Sequence, residues 1–256
     1  MNCIKFSQLT AALLLGFSAV SSPVHAGLCQ GLSIPAYFYP GTLWTKATAA
    51  AARTSIMIMN PNSGVGAAID QNYVAAVKTA QAAGIKILGY VATNYADPKL
   101  KQTAINQINL YKQWYKVDGI FLDEVSDLAQ NVPYYQNLAK VIRQGSGNFV
   151  MLNPGTIPAE GYVKLADNTI IFEDTYAKYL SNWQAPTWLF NYPASKFTHL
   201  VHTTSASQLA NALKLTVSRN AGYVYVTHDV LDNPWDTLPT YWTTELSTMA
   251  STCKAP

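Results

Sequence analysis

The stretch Gly119-Ile120-Phe121-Leu122-Asp123-Glu124 decides the fold that this sequence predicts. Its apolar residues follow one another without polar alternation, which is typical of a strand buried on both faces of a parallel sheet. Two carboxylates come directly after them. Because functional side chains gather at the carboxyl ends of the strands in a parallel barrel, acids at this position indicate a site. The stretch therefore predicts a buried parallel strand that ends in functional residues.

Seven further runs of this kind are spread along the chain, and helical patterns lie between them. The predicted strands are 34–39, 55–59, 85–91, 119–123, 149–152, 169–173, 198–202 and 223–227. The predicted helices are 72–83, 99–116, 134–144, 208–219 and 241–250. This alternation predicts the α/β class and a single (β/α)8 TIM barrel. An open doubly wound sheet is the alternative, and the absence of Gly-x-Gly-x-x-Gly after the first strand weakens it. Residues 188–192 form either an extra strand or a loop wall.

Composition sets the class of the protein. Of 256 residues, 49% are hydrophobic and 12% are charged, which is below the ~25% charged residues of an ordinary domain. Such a chain is neither disordered nor a highly charged nucleic-acid binder. The formal charge of +3 is spread along the chain. No apolar stretch after the N-terminus reaches the length of a membrane span. We expect one monomeric domain.

The N-terminus has the pattern of a secretory signal peptide over residues 1–26. Lys5 supplies the positive charge, residues 9–20 are apolar, and Ala26 offers a small residue at the cleavage point. A buried first helix is the alternative. The pattern predicts a barrel of residues 27–256 that is secreted, either to the periplasm or to the medium.

Two cysteines remain after removal of the signal peptide. They are Cys29 and Cys253, one near each end of the remaining chain. Export to an oxidising compartment favours a disulfide between them. Two free thiols are the alternative. No CxxC motif is present, so a metal or redox role has less support.

Acidic residues are scarce, and they concentrate at two strand ends. The chain has 14 of them, and four are Asp123, Glu124, Glu173 and Asp174, each pair following an apolar run. Glycoside hydrolysis needs two carboxyl groups, one that protonates the leaving oxygen and one that attacks the sugar or activates water. Helix N-caps are the structural alternative for such acids. The pattern favours a carboxylate pair contributed by two strands.

Aromatic and polar side chains also follow the predicted strands. Flat rings with a polar tip stack on sugars and donate hydrogen bonds, although most tyrosines of a barrel are core residues. We expect substrate contacts from Tyr37, Tyr39, Asn60, Tyr90, Asn153, Tyr176, His202, Tyr225 and His228. For His202 and His228, a place in the core is the alternative.

The sequence contains no motif for a metal, a cofactor or a nucleophilic serine. His-Glu-x-x-His, Gly-x-Ser-x-Gly and a phosphate-binding Gly-Lys-Ser/Thr loop are absent. His199 and His202 are three apart on one strand, so they face opposite ways. We therefore expect neither a cofactor nor a metal.

Six segments together resemble the spherulin-4 (spherulation-specific) family of secreted glycoside hydrolases. They are Ile34-Pro35-Ala36-Tyr37-Phe38-Tyr39-Pro40, Ile58-Met59-Asn60-Pro61-Asn62-Ser63-Gly64, Gly89-Tyr90-Val91-Ala92-Thr93-Asn94-Tyr95, Val117 to Glu124, Leu152-Asn153-Pro154-Gly155 and Phe172-Glu173. The resemblance implies a (β/α)8 barrel that cleaves α-1,4-linked galactosamine or N-acetylgalactosamine polymers. Such polymers occur in fungal galactosaminogalactan and in bacterial biofilm matrix.

By motif, the acids of the family fall on Asp123, Glu124 and Glu173. We expect Asp123 to act as nucleophile or base and Glu173 as general acid, with the reverse assignment open. Glu124 would orient the pair or bind an amino group. Two other functions remain: a barrel that binds matrix polysaccharide without cleaving it, and a deacetylase or esterase acting on the same polymer.

Overall fold

The computed structural model of the protein describes residues 29–252. The predicted signal peptide, residues 1–26, and Cys253 lie outside the described residues, so the predicted disulfide with Cys29 stays a prediction.

Eight parallel strands close into a barrel, and each strand pairs with the next along the chain. They are β1 Gly31–Ala36, β2 Thr54–Met59, β3 Lys86–Ala92, β4 Gly119–Asp123, β5 Phe149–Leu152, β6 Asn168–Thr175, β7 Phe197–His202 and β8 Tyr223–Val226. The barrel closes where Gly31 and Leu32 of β1 pair with Tyr223 and Val224 of β8. This architecture confirms the predicted single (β/α)8 barrel.

One α-helix follows each strand and covers the outside of the barrel. The helices are α1 Thr42–Ala49, α2 Gln71–Ala82, α3 Lys101–Trp114, α4 Val132–Ile142, α5 Glu160–Leu165, α6 Tyr176–Ser181, α7 Leu209–Ser218 and α8 Trp242–Thr252. None of the helices within residues 29–252 is both long and apolar enough to cross a membrane.

The core lies on both faces of the barrel sheet. All six residues of β1 and the first four of β4 are buried, so neighbouring side chains of both orientations are removed from water. Gly89 of β3 lets helix α3 approach closely, because a Cβ at this position would lie 2.4 Å from the ring of Tyr111. The unbroken apolar runs in the sequence reflect this burial on two sides.

Two strand boundaries and one loop differ from the sequence prediction. Strand β1 ends at Ala36, so the aromatic residues Tyr37 to Tyr39 cover the mouth of the barrel after the strand. Strand β6 continues past Glu173 to Thr175. Residues 188–192 form no strand, and most of them belong to a 3-10 turn over Thr187–Asn191.

The barrel order places β5 between β4 and β6. Leu122 of β4 pairs with Leu152 of β5, and Leu152 pairs in turn with Thr169 of β6. Asp123 and Asn153 directly follow these paired residues, and Glu173 lies four residues beyond Thr169 on β6. The fold therefore brings one side chain from each of three adjacent strands to the same edge of the barrel.

Candidate active site

A cleft of about 400 Å³ opens at the carboxyl ends of the strands. Side chains from five of the eight strand ends line it, together with the loop after β8. The lining residues are Tyr95, Asp123, Glu124, Asn153, Pro154, Gly155, Glu173, Asp174, Lys178, His202, Leu231, Asp232, Pro234 and Trp235. Five of these fourteen residues are acids, although the whole chain carries a formal charge of +3. The cleft is therefore opposite in charge to the rest of the protein.

Asn153 holds two carboxylates together in the floor of the cleft. Its Nδ2 donates to Asp123 Oδ1 at 2.7 Å and to Glu173 Oε2 at 2.6 Å. The Oδ1 atom of Asn153 accepts a hydrogen bond from the Gly155 backbone N–H at 3.0 Å. Because Oδ1 faces a donor, the amide orientation that points Nδ2 at the carboxylates is fixed.

Asp123, the last residue of β4, lies among donors in a largely apolar setting. Burial raises the pKa of Asp123, and hydrogen bonds from the Tyr90 hydroxyl, the Glu124 backbone N–H and Asn153 oppose that rise. Burial also raises the pKa of Tyr90, so its phenol stays protonated and donates to Asp123. Three donors therefore favour the ionised form of this carboxyl.

Glu173 is more strongly perturbed than an ordinary glutamate. Burial and the charge of Asp123 raise the pKa of Glu173 to about 7. The hydrogen bonds from Asn153 and from Trp235 Nε1, which lies 3.3 Å from Oε1, act in the opposite direction. A carboxyl with this pKa holds a proton in a large fraction of molecules at neutral pH. Burial thus raises the pKa of both carboxyls, and Asp123 has three hydrogen-bond donors to its ionised form where Glu173 has two.

Glu124 follows the strand in a left-handed conformation, with φ of 51°. Its Oε2 accepts a hydrogen bond from the Asn94 backbone N–H at 3.1 Å, and its carbonyl oxygen accepts one from the Tyr95 N–H at 2.7 Å. The hydroxyl of Thr93 also contacts this carbonyl, at 2.9 Å. The side chain lines the cleft, but it is tied to the loop after β3 and makes no hydrogen bond with the Asp123–Glu173 pair.

The chain is similar to known proteins over most of its length. Residues 31–249 match the family described as Spherulin4, spherulation-specific family 4. The chain belongs to this family. It is 34% identical over 232 residues to Spherulin-4 from Physarum polycephalum, covering 84% of this chain and 69% of that protein.

Two solved structures resemble the barrel, one with clearly higher sequence identity than the other. Aspergillus clavatus Sph3, whose structure was determined in complex with GalNAc, is 26% identical with a TM-score of 0.75, covering 86% of this chain and 97% of that one. A GH18 chitinase from Pseudoalteromonas aurantia is 13% identical with a TM-score of 0.53, covering 87% of this chain and all of that one. The second likeness shows the fold alone.

In this member of the spherulation-specific family, an ion pair and a histidine form one wall of the cleft. Lys178 Nζ of α6 lies 2.9 Å from Oδ2 of Asp174, which is four residues earlier at the end of β6. His202 packs edge-on against Trp235, with ring centroids 6.0 Å apart. Burial lowers the pKa of His202, so the imidazole is neutral at pH 7. The cation nearest the acids is thus already paired.

Tyr37 and Tyr90 lie against the carboxylates without lining the cleft. Their rings meet edge-on with centroids 5.5 Å apart. Burial, Asp123 and Glu173 together raise the pKa of Tyr37 well above its usual value. Both tyrosines therefore support the carboxylate pair from beside it, a role other than the substrate contact expected from the sequence.

Five further residues expected to contact substrate also do not line the cleft, and two of them stabilise loops. The hydroxyl of Tyr39 donates to Asp70 at 2.8 Å and accepts from Asn72 at 2.7 Å, at the start of α2. Asn60 Oδ1 accepts a hydrogen bond from the Gly64 N–H at 2.9 Å. Asn60 thus stabilises its own loop and Tyr39 joins two loops, while substrate contact from either residue stays a prediction.

Tyr176 and Tyr225 belong to the packed interior. The Tyr176 hydroxyl accepts a hydrogen bond from Asn211 Nδ2 at 2.8 Å. The Tyr225 hydroxyl donates to the Thr237 carbonyl at 3.0 Å, and its ring is fully buried. Strand ends hold many aromatic side chains that cap the core, so position alone overestimates the substrate contacts.

His228 is the fifth of these further residues outside the cleft. Its Nε2 lies 3.8 Å from Asp229 Oδ1, and its ring packs edge-on against Tyr241 with centroids 6.0 Å apart. It therefore contacts the segment before α8 and not the carboxylate pair. Within residues 29–252, no group of three His, Cys, Asp or Glu side chains is arranged to hold a metal.

Sequence reasoning missed the loop after β8, which supplies Leu231, Asp232, Pro234 and Trp235 to the cleft. This connection runs from residue 227 to residue 241. Its length and its position at the functional face are typical of a loop that carries binding residues. Its individual contacts follow from tertiary folding, because Trp235 reaches a glutamate 62 positions away in the sequence.

Proposed function

We propose that this protein is a secreted, monomeric, endo-acting glycoside hydrolase. Its substrate is an α-1,4-linked galactosamine or N-acetylgalactosamine polysaccharide of a biofilm or cell-surface matrix. The observation that carries the proposal is the pair of buried carboxyl groups, Asp123 and Glu173, joined by Asn153 in the floor of an open acidic cleft.

In the proposed mechanism Glu173 is the general acid. Its raised pKa, about 7, keeps a proton available for the glycosidic oxygen as the bond breaks. Asp123, whose ionised form accepts three hydrogen bonds, is assigned as the nucleophile that faces the anomeric carbon. The difference between the two surroundings supports this assignment over the reverse one.

The separation of the two carboxyl groups favours a retaining reaction. One nitrogen bonds to an oxygen of each, so these two oxygens lie within roughly 5 Å of one another. Because one oxygen of each carboxyl lies this close to the other, the ~5–5.5 Å of retaining enzymes fits better than the ~6.5–9.5 Å that leaves room for water in inverting ones. Asp123 would attack the anomeric carbon while Glu173 protonates the leaving oxygen. Water, deprotonated by Glu173, would then release the sugar from Asp123.

The substrate class rests on the family and on the charge of the cleft. Sph3, a relative of 26% identity, was crystallised with GalNAc. The acids that line this cleft suit a polymer with some free amino groups, because an ammonium is attracted to carboxylates. Glu124, held by the loop after β3, stands beside the pair and is the carboxylate available to an amino group.

Secretion and the Cys29–Cys253 disulfide are part of the proposal. Purification of the exported protein followed by N-terminal sequencing is expected to place the mature start at residue 27. Peptide mapping without reductant is expected to show the two cysteines in one linked fragment.

Product analysis tests the function. Incubation with partly deacetylated α-1,4-galactosaminan, followed by mass spectrometry, is expected to show shortened oligosaccharides from the wild type. The variants Asp123→Asn and Glu173→Gln are expected to give none while folding normally. Intact polymer that co-sediments with the wild type would instead indicate a binding barrel, and released acetate would indicate a deacetylase. Near-normal turnover by either variant would disprove the residue assignment.

A further inference from the structure

Tyr95 stands out at the rim of the cleft because its ring is exposed and has no partner. Its relative exposure is 64%, and within residues 29–252 its side chain makes no hydrogen bond or ring contact. The other tyrosines near the site, Tyr37 and Tyr90, are packed against each other. An exposed, unpaired aromatic ring in a cleft that contains two catalytic candidates is a surface ready for a flat apolar face.

The backbone that carries Tyr95 is strained in a way that holds the ring outward. Asn94, Tyr95 and Ala96 have φ values of 42°, 55° and 73°, three left-handed residues in succession without a glycine. This region of backbone conformation is unfavourable for residues that carry a Cβ. Strain of this kind persists where the surrounding structure determines it, and it concentrates at functional sites.

Hydrogen bonds tie this strained turn to the candidate catalytic strand. The Tyr95 N–H donates to the Glu124 carbonyl at 2.7 Å, and the Asn94 N–H donates to Glu124 Oε2 at 3.1 Å. Glu124 directly follows Asp123, the proposed nucleophile. The position of the Tyr95 ring is therefore set relative to the carboxylate pair, as a substrate-positioning group requires.

An exposed apolar side chain from a different part of the barrel lines the same cleft. Leu231, on the loop after β8, is 69% exposed. Strands β3 and β8 are not neighbours in the barrel. A chain of sugars lying across the carboxylate pair would pass from one of these side chains toward the other.

We propose that Tyr95 is the stacking platform for a sugar ring bound next to the bond that is cleaved, forming a subsite that holds an extended polymer across the Asp123–Glu173 pair. The inference rests on the proposed function and extends it, because such a subsite raises kcat/KM for long substrates more than for short ones. The apolar face of a pyranose ring lies on the tyrosine, and the hydroxyl of Tyr95 is not needed.

The test compares Tyr95→Ala with Tyr95→Phe on partly deacetylated α-1,4-galactosaminan and on its short oligomers. Both replacements keep a Cβ, so the backbone strain is the same. Tyr95→Ala is expected to lower kcat/KM on the polymer by about tenfold, mainly through KM, and to change activity on the shortest cleaved oligomer far less. Tyr95→Phe is expected to behave as the wild type. Phe190→Ala, which removes an exposed ring outside the cleft, serves as the matched control.

Binding measurements separate failure of this inference from failure of the proposed function. In the Glu173→Gln background, addition of Tyr95→Ala is expected to weaken retention of the same polymer by about tenfold. Wild-type cleavage with equal losses at every substrate length, or with no loss, overturns the platform and leaves the hydrolase intact. If the wild type does not cleave but Tyr95→Ala still weakens binding, the platform stands and the hydrolase falls. Absence of both cleavage and binding overturns both.

Discussion

Asp123 and Glu173, which lie 50 positions apart in the sequence, accept hydrogen bonds from the same nitrogen atom, Asn153 Nδ2, at 2.7 and 2.6 Å. Each of the three side chains comes from a different adjacent strand end. The amide therefore sets the spacing between two groups that would otherwise repel each other when both are ionised. It also lowers the pKa of each carboxyl relative to the same burial without a donor.

Asn153→Ala is expected to reduce kcat about 100-fold while both carboxyl groups remain in place. Loss of the shared donor leaves both pKa values higher and the spacing of the pair unfixed. The pH–rate profile of the variant is expected to shift upward. Asn106→Ala, on the exposed side of α3, is the control. An unchanged profile in Asn153→Ala would show that the amide does not tune the pair.

The wild-type rate is expected to fall above about pH 7, as Glu173 loses the proton that it supplies to the leaving group. Trp235→Phe removes the indole N–H that stabilises the charged form of Glu173, so the pKa rises and the alkaline limb moves to higher pH. The measurement is kcat/KM between pH 4 and pH 10. A limb that stays in place would argue against Glu173 as the acid.

Thr93→Val is expected to destabilise the fold by about 1–3 kcal/mol. The buried hydroxyl of Thr93 contacts the backbone oxygens of Asp123 and Glu124 at 2.8 and 2.9 Å and the Tyr135 hydroxyl at 3.0 Å. Valine keeps the shape and leaves these buried groups without their partner. Urea unfolding measures the loss, with the exposed Thr79→Val of α2 as the control. Equal stabilities would show that water replaces the hydroxyl.

Glu245→Gln is expected to stabilise the protein at alkaline pH. Burial raises the pKa of Glu245 to about 8, and only one of its oxygens has a partner, the Val226 N–H at 3.2 Å. The native state therefore binds this proton more tightly than the unfolded chain. Stability contributed by the protonated form is complete below the unfolded pKa of about 4.3 and is lost as the pH rises to about 8, by roughly 5 kcal/mol at most.

Melting temperatures at pH 5 and pH 8.5 measure this effect. The wild type is expected to melt lower at pH 8.5, and Glu245→Gln is expected to remove most of that difference. Glu160→Gln is the control. Hydrogen bonds from Tyr192 and Lys164 lower the pKa of Glu160, so its carboxyl group does not titrate in this range. A wild-type melt that does not change between the two pH values would contradict the assignment.

The strands could be predicted from the sequence because burial on both faces leaves unbroken apolar runs. The helices α1, α5 and α6 could not, since eight or six residues are too few to show a helical period. Strand β1 ends at Ala36, and the aromatic residues after it do not continue the strand pairing. Local composition does not distinguish an apolar residue within a strand from one in the loop that follows it.

The sequence pointed to the charged part of the site and to Asn153 and His202, which line the cleft. Asp123, Glu124 and Glu173 stand out because acids are scarce and strand ends are known places for them. The bridging role of Asn153 depends on a distance between three strands, and the contact of Trp235 with Glu173 depends on how a long loop folds back. Tyr39, Tyr176 and Tyr225 share the position of functional residues, but their hydroxyls are used by neighbouring side chains or backbone.

Asp123 is the last residue of β4, Asn153 follows β5 directly, and Glu173 lies within β6. The reacting groups thus belong to the scaffold itself, whereas Tyr95 and Leu231 stand on connections outside it. Mutations in those connections can alter which polymer is accepted while the bond-breaking apparatus is inherited unchanged. Relatives of this protein are therefore expected to differ in substrate preference before they differ in the reaction that they catalyse.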